Sequence, residues 1–244
     1  MVALLAAFGT QPVEADEIVT GGVTGTRFEH GGYAYGGTLS WQQPIAQGGV
    51  LANLSSTDYP IGRLTSLDLD GYGHLTSALT ISGGMSLGDA TGDGRSDELF
   101  KARIALDARL DSQWSIHLAD QYTDLAEIHG QLVVVSTQYM PTLAYGISLG
   151  GGYGLTGTVA DRYAAISINS YGRLQAYGGV VYGRTGYDPA TLGQVAIIRH
   201  LVQVYAGFSV PLKHGRLTLG ADSLDLEGDN RQTLRIGYIQ TFKP

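Results

Sequence analysis

The chain has 244 residues, 36 glycines, 15 tyrosines, no cysteine, a formal net charge of −7 and 15% charged residues. Without cysteine there are no disulfides and no thiol chemistry, and the acidic balance argues against nucleic acid as a partner. The charged fraction lies below the ~25% of soluble domains, no window offers the ~20 continuous apolar residues of a spanning helix, and the Gly- and Tyr-rich composition suits a β-barrel with one face in lipid.

The N-terminal "MVALLAAFGTQPVEADE" carries an apolar run, Val2 to Phe8, and then Val13-Glu14-Ala15, a small-residue cleavage site before Asp16. It reads as the remnant of a secretory signal peptide over 1–15, although no Lys or Arg precedes the apolar run. Residues 16–244 then form one domain. The sequence leaves open whether 16–32 is a strand or a periplasmic tail.

From there the dominant signal is period-two alternation, which argues strand. At 75–87, Leu75, Leu79, Ile81, Met85 and Leu87 alternate with Thr76, Thr80, Ser82 and Ser86. At 100–111, Phe100, Ala102, Ile104, Leu106, Ala108 and Leu110 share one face, while Lys101, Arg103, Ala105, Asp107, Arg109 and Asp111 share the other. The pattern returns at 143–149. At 198–212, Ile198, Val202, Val204, Phe208, Val210 and Leu212 oppose Arg199, Gln203, Tyr205 and Ser209. Near the end, Leu234, Ile236 and Tyr238 oppose Arg235, Gly237 and Thr241. Sustained helical spacing is missing, and frequent glycine would cost a helix ~1 kcal/mol each.

Two sets of breaks alternate along the chain. The tight set is "PIAQG" (44–48), "GYGH" (71–74), "LDSQ" (110–113), "MPT" (140–142), "YGR" (171–173) and "LKHG" (212–215). The varied set is "EHGG" (29–32), "DYPIG" (58–62), "DATGDGRSDE" (89–98), "AEIHG" (126–130), "GTVAD" (157–161), "RTGYDPATLGQ" (184–194) and "EGDN" (227–230). Short periplasmic turns alternating with longer external loops are the arrangement of outer-membrane barrels. The breaks predict an all-β fold: a single transmembrane antiparallel up-and-down barrel of about 14 strands, with 12 as the alternative. Tyr33, Tyr35, Trp41, Trp114 and Tyr145 near strand ends fit interfacial aromatic girdles. A soluble sandwich would have shorter strands, near 5–6 residues.

Over roughly 17–242 this pattern resembles a Gram-negative outer-membrane β-barrel of the porin-like or YaiO-like kind. The ending "LRIGYIQTFKP" resembles the C-terminal strand that the barrel-assembly machinery reads, with Phe242 as the terminal aromatic, although Lys243 and Pro244 follow it. The resemblance implies residence in the outer membrane of a Gram-negative bacterium, with outer-membrane lipid and the assembly machinery as partners.

Within a barrel, the polar face of 100–111 and its counterparts predict a pore lining of Lys101, Arg103, Asp107, Arg109, Asp111, Arg199 and Arg235, with Asp68 and Asp70 as further candidates. Such charges set selectivity, and more than about eight strands leave room for an open lumen. The functional expectation is a channel for passive diffusion or export of small polar or anionic solutes, including oligosaccharide or exopolysaccharide. Tyr163, Tyr171 and Tyr177 would offer stacking surfaces for sugars if they face inward. No cofactor is required for this. The alternative is a non-transporting structural or surface-interaction barrel with a calcium-binding external loop. In "DATGDGRSD", Asp89, Thr91, Asp93, Arg95 and Asp97 occupy alternate positions with Gly94 at the turn, as a calcium loop needs. Phe100 stands where the bidentate Glu belongs. A third reading, an outer-membrane hydrolase, is disfavoured. His30, His74, His117, His129, His200 and His214 are scattered, and none lies in a motif that pairs it with Ser or acids. The Gly-rich "LGGGYGLTG" lacks the Lys and following helix of a phosphate loop.

Overall fold

The structure is a computed structural model that describes residues 17–92, 94–126, 128–156, 159–186, 199–227 and 229–242. It contains fourteen strands: β1 (Glu17–Phe28), β2 (Tyr33–Ile45), β3 (Gly48–Tyr59), β4 (Gly62–Thr76), β5 (Leu79–Gly92), β6 (Arg95–Arg109), β7 (Trp114–Leu125), β8 (Ile128–Thr142), β9 (Tyr145–Thr156), β10 (Val159–Tyr171), β11 (Gln175–Thr185), β12 (Arg199–Leu212), β13 (Gly215–Leu226) and β14 (Asn230–Phe242). Each pairs antiparallel with its chain neighbours, and β1 pairs with β14 from Glu17 opposite Phe242 to Phe28 opposite Arg231. The closed ring leaves no sheet edge, the condition a strand protein must meet in hydrocarbon. This is the fourteen-stranded up-and-down barrel that the alternation predicted. The open question at 16–32 resolves as strand from Glu17 onward, whereas the signal segment 1–15 lies outside the described residues.

Several break assignments change. "GYGH" is no turn: β4 runs through it and reverses at 77–78, where the Ala78 N–H donates to Thr76 Oγ1 (3.1 Å). Gly71 and Gly73 lie on the outer face, alternating with inward Tyr72 and His74. "MPT" likewise belongs to β8, which shifts register between Tyr139 and Thr142 and turns at 143–144. The ten-residue stretch 89–98 shrinks to a two-residue turn, because β5 extends to Gly92 and β6 begins at Arg95. Gly94 takes φ +76° there, a conformation that glycine adopts without the steric cost of a Cβ. Loops at the end away from the termini are therefore short as well. The exception is the connection between Thr185 and Arg199, most of which lies outside the described residues.

Directly paired residues of antiparallel strands face the same side, so the register assigns every side chain to an inner or outer face. Through most of the barrel height the outer face is apolar. Val23, Leu39, Leu54, Leu69, Met85, Ile104, Leu118, Val135, Leu149, Ile166, Val204, Leu234 and Ile236 are all exposed there. At the terminal end this band is bordered by Trp41, Trp114, Tyr139, Tyr145 and Tyr238, and toward the loop end by Tyr35, Phe100, Tyr122, Tyr153 and Tyr182. An apolar band between two aromatic girdles is the lipid-facing surface of a transmembrane barrel.

The last outward position of most strands at the loop end breaks this rule. It carries Arg27, Asp58, Arg63, Asp89, Glu98, Asp124, His129, Arg162, Arg184, His200 and Asp225. Arg63 pairs with Asp58 (2.5 Å) and His129 with Asp124 (2.9 Å). This charged rim overlaps the upper aromatic girdle, with Tyr35 directly opposite Asp58 and Tyr153 directly opposite Arg162.

Candidate functional site

The lumen has two zones of opposite character. At the loop end, the inward residue of nearly every strand is buried, and most are apolar: Phe28, Ala34, Ala90, Leu99, Leu125, Ile128, Leu201 and Leu226. Leu125 is 0% exposed and Ile128 is 1% exposed. Ala90, Leu99 and Leu125 pack with Tyr59, Leu64 and Ile61, the last reaching in from the β3–β4 turn. Across the barrel, Val181, Leu201 and Leu226 pack with Leu224, Tyr163 and Tyr205. Together these side chains form an apolar collar inside the charged rim. The alternation inverts where the strands leave the lipid band, so apolar groups turn inward once water is outside.

Two charged groups are built into the collar. Arg231 lies over the Phe28 ring (5.0 Å) and pairs with Asp229 (2.5 Å). Asp161 is buried, accepts the Thr156 hydroxyl, and accepts the Gly186 N–H (2.5 Å). It thereby ties β9 and β10 to the start of the long β11–β12 connection.

Below the collar the inner face is polar, and much of it is open. The side chains of Arg103 and Asp107 are 44% and 50% exposed. Lys101, Arg103, Asp107, Arg109, Arg199 and Arg235 all have inward positions. Asp111 does not line the lumen wall: it lies in the β6–β7 turn, where its Oδ1 accepts the N–H groups of Gln113 (2.7 Å) and Trp114 (2.8 Å). The inward charges are extensively paired. Arg103 donates to Asp70 (2.7 Å), Arg235 forms an ion pair with buried Asp222, and His117 Nδ1 lies 2.7 Å from Asp107. Arg199, at the loop end, lies 4.0 Å from Asp229. Asp68 accepts from Asn53 (2.8 Å).

The wall between β9 and β13 is smoothed by tyrosines seated on glycines. Inward positions of β9 include Gly146, Gly150, Gly152 and Gly154. A Cβ at Gly152 would come 2.8 Å from Cζ of Tyr163, and one at Gly220 would come 2.8 Å from the Tyr177 hydroxyl. Tyr171 accepts from Gln138 Nε2 (2.6 Å). Tyr163, Tyr171 and Tyr177 therefore face inward and pack along the wall. Between collar and polar zone lies a cavity of about 60 Å³, lined among others by Lys101, Thr123, Ile128, Thr156, Tyr163 and Leu201. It has room for water and is far smaller than the ~150 Å³ cavity that accommodates benzene.

Of the calcium-loop residues, the described Asp89, Thr91 and Asp97 do not share a face. Asp89 and Thr91 face outward on β5, whereas Asp97 faces inward on β6 opposite Ala90. Ser96 Oγ donates to Asp89 Oδ1 (2.5 Å). Asp93 lies outside the described residues, and so does the Arg95 side chain. Among the described residues, no three His, Asp or Glu side chains gather as a metal site.

The sequence reading missed the collar. Its signal was present as pairs of adjacent apolar residues at strand ends, Leu99-Phe100 and Leu201-Val202, which break strict alternation where it changes phase.

These two zones inside a lipid-banded wall define an outer-membrane-type β-barrel. Solved structures agree at the level of fold. The CymD monoaromatic hydrocarbon channel aligns at TM-score 0.69 and 9% identity, covering 95% of this chain and 90% of its own. The toluene transporter TodX of P. putida aligns at 0.59 and 11% identity, covering 94% and 90%. A bacterial polysaccharide outer membrane secretin aligns at 0.58 and 12% identity, covering 94% and 98%. No protein-family model matches the sequence, and no curated protein matches it.

Proposed function

We propose that the protein is a passive channel of the outer membrane for small, uncharged and partly apolar solutes. The observation that carries this reading is the two-zone lumen, a buried apolar collar above a polar, water-exposed vestibule. In this reading the collar is a hydrophobic constriction of the kind that gates ions by dewetting. Transport then requires the collar to part around the solute, which an apolar surface favours and a hydrated ion does not. Pairing of the inward arginines with Asp70 and Asp222 leaves little net field to attract anions. Two of the similar structures are described as channels for aromatic hydrocarbons or toluene, which suits the same chemistry.

A second reading, passage of polar or anionic solutes or saccharides, rests on the exposed Arg103 and Arg109 of the vestibule. Liposome swelling separates the two. Uptake of neutral phenyl glucoside should exceed that of glucose 6-phosphate several-fold, and planar-bilayer ion conductance should be small. A large, steady, anion-selective conductance would replace the first reading with the second. Silence in both assays, from folded protein and from a variant with the collar trimmed to alanine, would leave a non-transporting barrel.

A further inference from the structure

The charged rim is unevenly distributed. On the β3–β8 side its cations have acids directly beside them, Asp58 for Arg63 and Asp124 for His129. On the β10–β12 side, among the described residues, they do not. Arg162 of β10 is directly opposite Arg184 of β11, and Arg184 is directly opposite His200 of β12. Like charges directly opposite one another across a sheet are destabilising, and no acid stands between the two arginines in this row. Among the described residues, outward carboxylates next occur at the β13 end. Asp225 is opposite Val202, and Glu227 accepts the backbone N–H of His200 (3.3 Å).

The surroundings of the row identify what relieves the repulsion. Tyr153, 64% exposed, is directly opposite Arg162 on its other side. One outward position nearer the lipid band come Ala164, Tyr182 and Val202, and below them Ile166, Val180 and Val204. The order along the barrel axis is guanidinium pair, aromatic ring, aliphatic face. That order matches an amphiphile with an anionic head and hydrocarbon chains. Arginine forks suit phosphate in particular, because they bind it with two parallel hydrogen bonds.

We propose that the Arg162–Arg184–His200 row is a docking site for the phosphorylated headgroup of an outer-leaflet glycolipid, with its acyl chains lying along the β10–β12 face. The site rests on the outer-membrane reading of the protein but not on its being a channel. It would fix the rotation and depth of the barrel in the leaflet and shield the root of the long β11–β12 connection.

The test is lipid retention by the refolded full chain in detergent, read by native mass spectrometry with diphosphorylated, monophosphorylated and dephosphorylated lipid A as probes. The wild type should retain the diphosphorylated form best. The R162Q/R184Q double variant should lose at least tenfold of that retention, and R162K/R184K, which keeps the charge but not the fork, should fall between it and the wild type. A D58N/R63Q control on the opposite rim should bind as the wild type does. If the double glutamine variant fails to fold, R184Q alone should still show a several-fold loss. Equal retention by the wild type and the glutamine variants would overturn the proposal. So would full displacement of the lipid by inorganic pyrophosphate, which would indicate a soluble-anion site. Conductance measured on the same preparations separates the two readings: a barrel that holds lipid but never conducts sinks the channel and leaves this site standing.

Discussion

The two ends of the barrel use opposite solutions to one constraint. Toward the termini, the wall has lipid outside and water inside, so Leu106 and Ile116 point out while Asp107 and His117 point in. At the loop end the wall has water outside, so Arg184 and His200 point out while Leu201 and Leu226 point in and are buried. The alternation period is the same in both halves and only its phase differs. Hydrophobic periodicity therefore reports the solvent on each face and not a fixed identity of inside and outside. The transition from one phase to the other, between Leu99 and Lys101 on β6, is where the lumen changes from packed collar to open vestibule.

The comparison is broken most directly at the collar. Trimming Leu99, Leu125 and Ile128 together to alanine removes buried side chains worth ~2–5 kcal/mol each. It should also open the lumen, and ion conductance in planar bilayers should rise at least several-fold over the wild type. An unchanged conductance would mean that the collar does not limit the path.

A smaller effect is expected one level down. Replacing Asp222 with Ala leaves Arg235 facing a buried site without its carboxylate. Breaking a fully buried pair costs ~3–5 kcal/mol, and the partial exposure of Arg235 reduces this to about 2 kcal/mol. Denaturant unfolding should show the loss, and reversal potentials should move toward anion preference.

Gly152→Ala tests the smooth wall. The added methyl meets the Tyr163 ring, and overpacking of this kind costs about 1–3 kcal/mol, read as a lower unfolding midpoint. Gly21, which has open space around it, should tolerate Ala with little change.

Arg103→Gln should be the mildest change, within about 1 kcal/mol of wild-type stability because its pair with Asp70 is partly exposed. Its effect should be confined to a shift of reversal potential toward cations. Calcium sharpens the picture from outside the lumen. With Asp89 and Asp97 on opposite faces, Asp89→Asn should leave any calcium response of conductance or stability unaltered, and a lost response would restore the loop to consideration.

What could be read from residues alone followed from local rules. Alternation at 100–111 and 198–212 gave the strands and their faces, because side chains alternate about every strand whatever its neighbours do. Strand number followed from counting the segments between breaks, about fourteen with twelve as the alternative, and even parity agreed with the larger count. Turn positions were less secure. "GYGH" and "MPT" carry turn-like residues, yet their backbones continue pairing with adjacent strands, and such pairing is a long-range property. Asp89 and Asp97 of the calcium-like spacing lie on different faces for a related reason. Alternate positions converge around an ion in a loop, but continued strand pairing sends residues on the two sides of the turn to different faces.

The chain by itself therefore determined a barrel of about fourteen strands with a lipid-facing band, since period, glycine content and break spacing are written residue by residue. Only the tertiary structure decided what the lumen is. The collar, the pairing of Arg235 with Asp222 and the row of Arg162, Arg184 and His200 all join residues distant in sequence. Register and barrel closure bring them together, and no local pattern encodes either.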